Sequence, residues 1–256
     1  MVRYAAQITT SQMSRASRLT FQEVEMRMFV AGATGTLGRP VVRALVSRGH
    51  DVIGLTRTQE GARRIKDMGA RAVVGNALDA ERLKALVVEA RPDVVVHLLT
   101  ALPPGGVTRK SQLRQTNELR TAGTANLIAA SLAGGAHRIV AESFVGVYSG
   151  GSFSRPVSED APLPPPPEGP FRDTVLALRS LEDQLRAATA SSGIETVALR
   201  IGFLYGSDVP STRLMIDQAR AGRLFLPAGL SGIAPFVHND DAAAAIVAAI
   251  ERPNVS

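Results

Sequence analysis

From Met28 onward, short runs of β-branched and apolar residues alternate with amphipathic stretches of about 10 to 20 residues, and this alternation restricts the fold more than any other feature. Strands are predicted at Met28–Ala31, Val52–Leu55, Ala72–Val74, Val94–Leu98, Arg138–Ala141 and Thr196–Ile201. Helices are predicted between and after them: Leu37–Arg48 closed by Gly49, Glu60–Met68 closed by Gly69, Ala80–Ala90 stopped by Pro92, Arg109–Leu132 closed by Gly134-Gly135, and Phe171–Ser191 closed by Gly193. Strands that are nearly all apolar have no solvent face, so they belong to a parallel sheet with helices on both sides. The fold expected is α/β, a Rossmann-like doubly wound parallel sheet.

Two segments break the alternation. Ala161–Pro170 holds six prolines, which excludes helix and central strand; a stiff loop across the mouth of the sheet is favoured over a polyproline II ligand. After Ile201 the chain reads as turn-rich pieces up to Asp240-Asp241, which can cap an Ala-rich helix at Ala242–Glu251. Residues 1–25 are rich in Ser, Thr and Arg and lack periodicity. A transit peptide has that composition, but a disordered or mis-called N-terminal extension is the expectation.

Composition removes several functions. The chain has no Cys, which excludes disulfides, a thiol nucleophile and zinc–thiolate sites. Its four histidines (His50, His97, His137, His238) are too scattered to suggest a metal cluster, so no metal is expected. The longest uncharged apolar stretches, Val94–Leu102 and Ala242–Ile250, are nine residues each, half of a membrane-spanning helix. The net charge of +6 could suggest nucleic acid, yet Arg3, Arg15 and Arg18 lie in residues 1–22 with no acid, leaving 26 basic against 23 acidic side chains elsewhere. With no basic run and few aromatics, neither a nucleic-acid nor a membrane partner is expected. A balance of 26 Arg to three Lys is what a GC-rich bacterial genome encodes, and a cytoplasmic location follows as the expectation.

The chemistry is most legible at Gly32-Ala33-Thr34-Gly35-Thr36-Leu37-Gly38, between the first strand and the first helix. Three glycines three apart allow a sharp turn, let backbone N–H groups approach a pyrophosphate, and let the helix pack close to the sheet. Pro40 falls in the first helical turn, where proline is tolerated.

The glycine spacing resembles the cofactor loop of the extended short-chain dehydrogenase/reductases, the NAD-dependent epimerase/dehydratase family. Similar segments follow in order: Gly75-Asn76-Ala77-Leu78-Asp79, Asp93-Val94-Val95-Val96-His97-Leu98, Gly123-Thr124-Ala125-Asn126-Leu127, Leu199-Arg200-Ile201-Gly202-Phe203-Leu204-Tyr205-Gly206, and Phe236-Val237-His238-Asn239-Asp240-Asp241. The resemblance covers about residues 26–256. It implies an NAD(P)-dependent oxidoreductase or epimerase/dehydratase acting on a small carbonyl or sugar-nucleotide substrate, with substrate-lobe segments mainly at 151–175 and 202–240. Because relatives usually continue past this point, Ser256 resembles a C-terminal truncation, and an incomplete lobe would leave a face for a partner such as a second copy in a homodimer.

On that resemblance, the cofactor-binding residues are Gly32, Thr34, Gly35, Thr36, Leu37, Gly38, Arg39, Arg57, Asn76, Ala77, Thr100 and Ala101. Strand two ends in Leu55-Thr56-Arg57, with no acid for a ribose 2′-hydroxyl. Arg57, with Arg39, can instead pair with a 2′-phosphate, so NADP is expected over NAD. Asn76 stands where the family has Asp beside the adenine; its amide oxygen can still accept a hydrogen bond there.

The family's Tyr-x-x-x-Lys pair is missing. The residues four after the three tyrosines are Ile8, Ser152 and Val209, and alignment puts Thr174 and Leu178 where the pair belongs. Phe144 replaces the usual catalytic hydroxyl. Ser143, Glu142 and Tyr148, near the end of strand five, are therefore the catalytic candidates. The loss leaves a second reading: an NAD(P)-binding sensor or scaffold without turnover.

Overall fold

A computed structural model describes residues 25–103, 106–107, 109–151, 153, 157–223 and 234–252. The expected extension falls outside these residues apart from Glu25, as do Ser256 and parts of the two lobe segments.

Six parallel strands lie in the order β3-β2-β1-β4-β5-β6: β1 Arg27–Ala31, β2 Asp51–Thr56, β3 Arg71–Val74, β4 Val94–His97, β5 Arg138–Phe144 and β6 Glu195–Ile201. Consecutive residues of a strand point to opposite faces, and here both faces are apolar. Met28 and Val30 join Val96 and Val140 under α1 (Gly38–Ser47) and α8 (Asn239–Glu251). Phe29 and Ala31 join Val95 and Ile139 under α3 (Ala80–Ala90), α5 (Thr124–Gly134) and α6 (Arg172–Ser192). Helix α2 (Gln59–Asp67) packs beside β2 and β3.

Four elements depart from expectation. β5 does not stop at Ala141: Glu142, Ser143 and Phe144 pair with Leu199, Arg200 and Ile201 of β6, so the candidate residues Glu142 and Ser143 are strand residues with opposite directions. The single helix expected over Arg109–Leu132 is broken into a 3-10 turn at Lys110–Leu113, a short α4 (Arg114–Glu118), a π-helical turn at Leu119–Gly123, and α5. One hydroxyl lies within the wide turn and one directly after it. Thr121 Oγ1 donates to Asn117 O at 3.0 Å and Thr124 Oγ1 to Arg120 O at 2.8 Å, taking up carbonyls that the regular ladder would use.

The segment after Ile201 is not only turns. It contains β7 (Phe203–Tyr205), α7 (Pro210–Arg220) and β8 (Phe236–His238), with β7 and β8 forming a separate two-stranded parallel sheet. Asp240 and Asp241 do not cap α8. His238 does, its Nδ1 accepting from the Asp240 N–H at 3.3 Å, and the two carboxylates sit in the first turn where the helix dipole favours negative charge.

The other end of α8 is held by a buried cation. Arg138, 5% exposed at the start of β5, donates to the carbonyls of Ala249 (3.0 Å), Ile250 (2.9 Å) and Arg252 (2.6 Å) and to the Glu195 carboxylate (2.7 Å). One guanidinium thereby satisfies three carbonyls at the end of the helix. Arg138→Met, of similar length and without donors, is expected to lower unfolding stability by roughly 2–4 kcal/mol in urea denaturation. A change below about 0.5 kcal/mol would show that water replaces the guanidinium.

Candidate active site

The site begins where β1 meets α1. Gly32 has φ +96°, and a Cβ there would lie 2.3 Å from Leu98 O; a Cβ on Gly38 would lie 2.0 Å from Gly32 O. No side chain larger than hydrogen fits at either position. The Gly35 N–H closes the turn on Gly32 O at 2.9 Å. No side chain caps α1, and its first turn carries no acid. Donors and a positive helix end therefore face the loop, as binding a pyrophosphate requires.

The loop opens on a cavity of about 110 Å³ at the C-terminal edge of the sheet, beside the point where strand order reverses between β1 and β4. Of the residues expected to bind cofactor, Gly32, Thr34, Gly35, Arg57, Asn76, Ala77 and Thr100 line it. Leu55, Leu98, Gln115 and Leu119 join them unforeseen. Thr36 lies just beyond, its carbonyl accepting from Asn239 Nδ2 at 3.1 Å, which ties the glycine loop to α8. Leu37 and Gly38 start α1 and are buried.

Two expected contacts are arranged differently. Arg39 lines a separate depression between α1 and α2 with Arg43 and Arg64, leaving Arg57 as the cation of the expected pair that lines the cavity. Ala101 is turned to the frame, its N–H donating to the buried Thr116 hydroxyl at 3.0 Å. Asn76 Oδ1 accepts from the Leu78 N–H at 3.1 Å, and its second lone pair is the one left for an adenine amino group.

The three catalytic candidates divide between two environments. Ser143, 1% exposed, donates to Glu182 Oε1 at 2.7 Å, and Arg200 grips the same carboxylate at 3.0 and 2.7 Å. Arg200 also donates to the Tyr148 hydroxyl and lies 5.0 Å from the centre of its ring. Tyr148 in turn donates to Ser158 O at 3.2 Å. Ser143 and Tyr148 are thus joined through Glu182 and Arg200, neither of which was singled out from the sequence. The signal was present in α6, where Glu182 shares the face of Leu178, Leu181 and Leu185: an acid on an apolar stripe demands a partner.

Glu142 points to the other side of β5, within electrostatic reach of Arg120. Burial pushes its carboxyl above the ordinary range, and the Arg120 charge opposes that rise without cancelling it. Arg120, 7% exposed in the π-helical turn, also acts on His97. His97 is fully enclosed; its Nδ1 accepts from the Leu99 N–H at 3.3 Å and its Nε2 meets Thr124 Oγ1 at 2.9 Å. Because that hydroxyl donates to Arg120 O, the imidazole is the neutral Nε2–H form. Burial first, then Arg120, lowers its pKa to about 4.

The two residues that the sequence alignment puts in place of the missing pair are packed inside. Thr174 is 9% exposed with an unpartnered Oγ1, and Leu178 is fully buried beside Gly146. Neither supplies a phenol or an ammonium.

Over residues 28–256 the sequence matches the NAD dependent epimerase/dehydratase family. The chain belongs to that family. Its relatives include a 3-diazoavenalumate denitrifying reductase from Streptomyces sp, 42% identical over 88% of this chain and 72% of the relative. A 4-hydroxy-2-methyl-3-oxo-4-farnesyl-3,4-dihydroquinoline-1-oxide ketoreductase from Stigmatella aurantiaca is 32% identical over 72% of this chain and 52% of its own length. Among solved structures, the UDP-glucose 4-epimerase of Thermotoga maritima superposes with TM-score 0.73 at 20% identity, over 89% of this chain and 74% of that one. The family is NAD-binding, with reductases and epimerases among the relatives, and this chain is an NAD(P)-dependent oxidoreductase/epimerase-like member. Among the described residues no helix is long and apolar enough to cross a membrane.

Two buried groups weaken this frame as pH falls. His97 stays neutral when folded but takes a proton when unfolded, so stability is expected to fall as pH drops from about 6.5 to about 4. His97→Gln should remove that slope in denaturation measured across the window; an unchanged slope would assign it elsewhere. Desolvation raises Glu182, but the Arg200 and Ser143 hydrogen bonds with the Arg200 charge outweigh it, and its folded pKa lies below the ordinary value. Its contribution is therefore complete above about pH 4.3 and lost as pH falls through the lower folded value. Glu182→Gln should flatten acid unfolding below that pH while destabilising the chain at pH 7.

Proposed function

We propose that this chain is the cofactor-binding and catalytic body of an NADPH-dependent reductase acting on a small carbonyl or similarly electrophilic substrate. The observation that carries the reading is the glycine cradle: a turn closed to any Cβ, opening on an uncapped helix start beside Arg57. Gly32, Thr34 and Gly35 would hold the pyrophosphate, Asn76 and Ala77 the adenine end, and Thr100 the path toward the nicotinamide. Arg57 stands where an acid would select NAD, and a guanidinium there favours a 2′-phosphate. When bound, the cofactor supplies the hydride.

The remaining need is a proton. Glu142 is the candidate to hold one, because burial raises its carboxyl above the ordinary range and the end of β5 is where open α/β sheets bind ligands. Ser143 and Tyr148 are engaged with Glu182 and Arg200 and would position the wall around the substrate. The reductase names of the sequence relatives support reduction over epimerisation. A second reading, a dinucleotide sensor without turnover, is favoured by Thr174 and Leu178 standing in place of the phenol and the ammonium.

Calorimetric titration separates these. NADPH is expected to bind more tightly than NADH by roughly 1–3 kcal/mol, the preference disappearing in Arg57→Ala. Equal affinities would leave Arg57 an ordinary surface cation. Glu142→Gln is expected to lower turnover of a carbonyl substrate about 10²- to 10⁴-fold with cofactor affinity intact. Cofactor binding with no turnover in the native chain would favour the sensor.

A further inference from the structure

Past the C-terminal end of β5 lies a group of rings, two of them largely exposed. Phe144 ends β5 at the position of the family's hydroxyl; its ring meets Phe203 of β7 edge-on, with centroids 5.1 Å apart and an 82° interplanar angle. Phe203 in turn lies 5.8 Å from Phe236 of β8. Phe203 is 48% exposed and Phe236 57%. They contribute little to the core, which already closes around Ile246 and Val247 of α8.

Two connections fix the group to the site. β5 lies beside β4, whose continuation Leu98–Thr100 lines the cavity. β8 runs directly into Asn239, whose side chain donates to Thr36 in the glycine loop. Phe144, three residues past the Ala141–His97 pair, is thus on the β4–β5 side of the sheet edge, and Phe203 and Phe236 continue from it.

We infer that Phe144, Phe203 and Phe236 form a recognition wall for an aromatic ring of the substrate, so that the reducible group is carried by a flat arene and not by a sugar nucleotide. The inference rests on the reductase reading and narrows its substrate. Edge-to-face and offset contacts give such a wall a preference for π-faces over saturated rings of the same size. It offers nothing to the hydroxyls of a hexose: where a hydroxyl would serve a sugar, the chain has Phe144.

The test uses the full chain saturated with NADPH and two ketones of one length, 4-phenylbutan-2-one and 4-cyclohexylbutan-2-one, with UDP-glucose as the third probe. By calorimetry or ligand-observed NMR the phenyl ketone is expected to bind roughly 3- to 10-fold more tightly than the cyclohexyl ketone. Phe236→Leu, an exposed apolar replacement, should erase that ratio with NADPH affinity unchanged, and Phe203→Leu should do the same. Equal binding of the two ketones on NADPH-loaded protein would overturn the aromatic wall and leave the reductase reading standing. UDP-glucose binding tighter than either ketone and indifferent to Phe236→Leu would overturn it as well. A dimer that dissociates in Phe236→Leu would overturn it by giving the rings to an interface. Failure of NADPH itself to bind would bring down both readings.

Discussion

The parallel pairing of β1 with β4 governs what the rest of this molecule can do. Strand order runs outward from that pair in both directions, so the crossovers on its two sides diverge and a crevice opens between them. The Leu98 N–H donates to Ala31 O at 2.8 Å, bringing the β4 continuation so close to the glycine loop that Gly32 tolerates no Cβ. The cavity and the β-side of the cradle thus follow from one ladder, and the aromatic end of β5 is carried one strand further along the same edge.

Around that edge the chain buries charge in two separate arrangements with opposite consequences. Glu182 and Arg200 satisfy each other, with Ser143 filling a remaining acceptor site, which locks α6 to β5 and β6. Such a pair gives rigidity more than net stability, because desolvation offsets much of its attraction. Arg120, His97 and Glu142 are less balanced: the imidazole is kept neutral and the carboxyl is pushed toward neutrality. The first arrangement serves as framework, whereas in the second burial works against the charged form of both groups.

The sheet was legible because burial on both faces writes β1, β2, β4 and β5 as apolar runs, and the glycine loop because steric exclusion admits one residue type. Other parts left weaker marks. The π-helical turn at Leu119–Gly123 has the same apolar repeat as a regular helix over five residues, so periodicity cannot reveal it. β7 and β8, three residues each, are shorter than one full alternation pattern. The direction of Ser143 depended on how far β5 continues, which is decided by partners in β6. Likewise, the sequence contains Glu182 and Arg200 but not their meeting, since they stand 18 positions apart and the chain must leave α6, turn at Gly193 and run along β6 before the charges touch.

The proline-rich segment acquires meaning from its anchors. Arg179 donates to Pro164 O within it and to Val147 O after β5, and just ahead of it Arg200 donates to Glu159 O at 3.1 Å and Tyr148 to Ser158 O. Six prolines in ten residues leave a chain with few conformations even when unfolded. A segment with so little chain entropy to lose is held beside the ends of β5 and β6 by few hydrogen bonds.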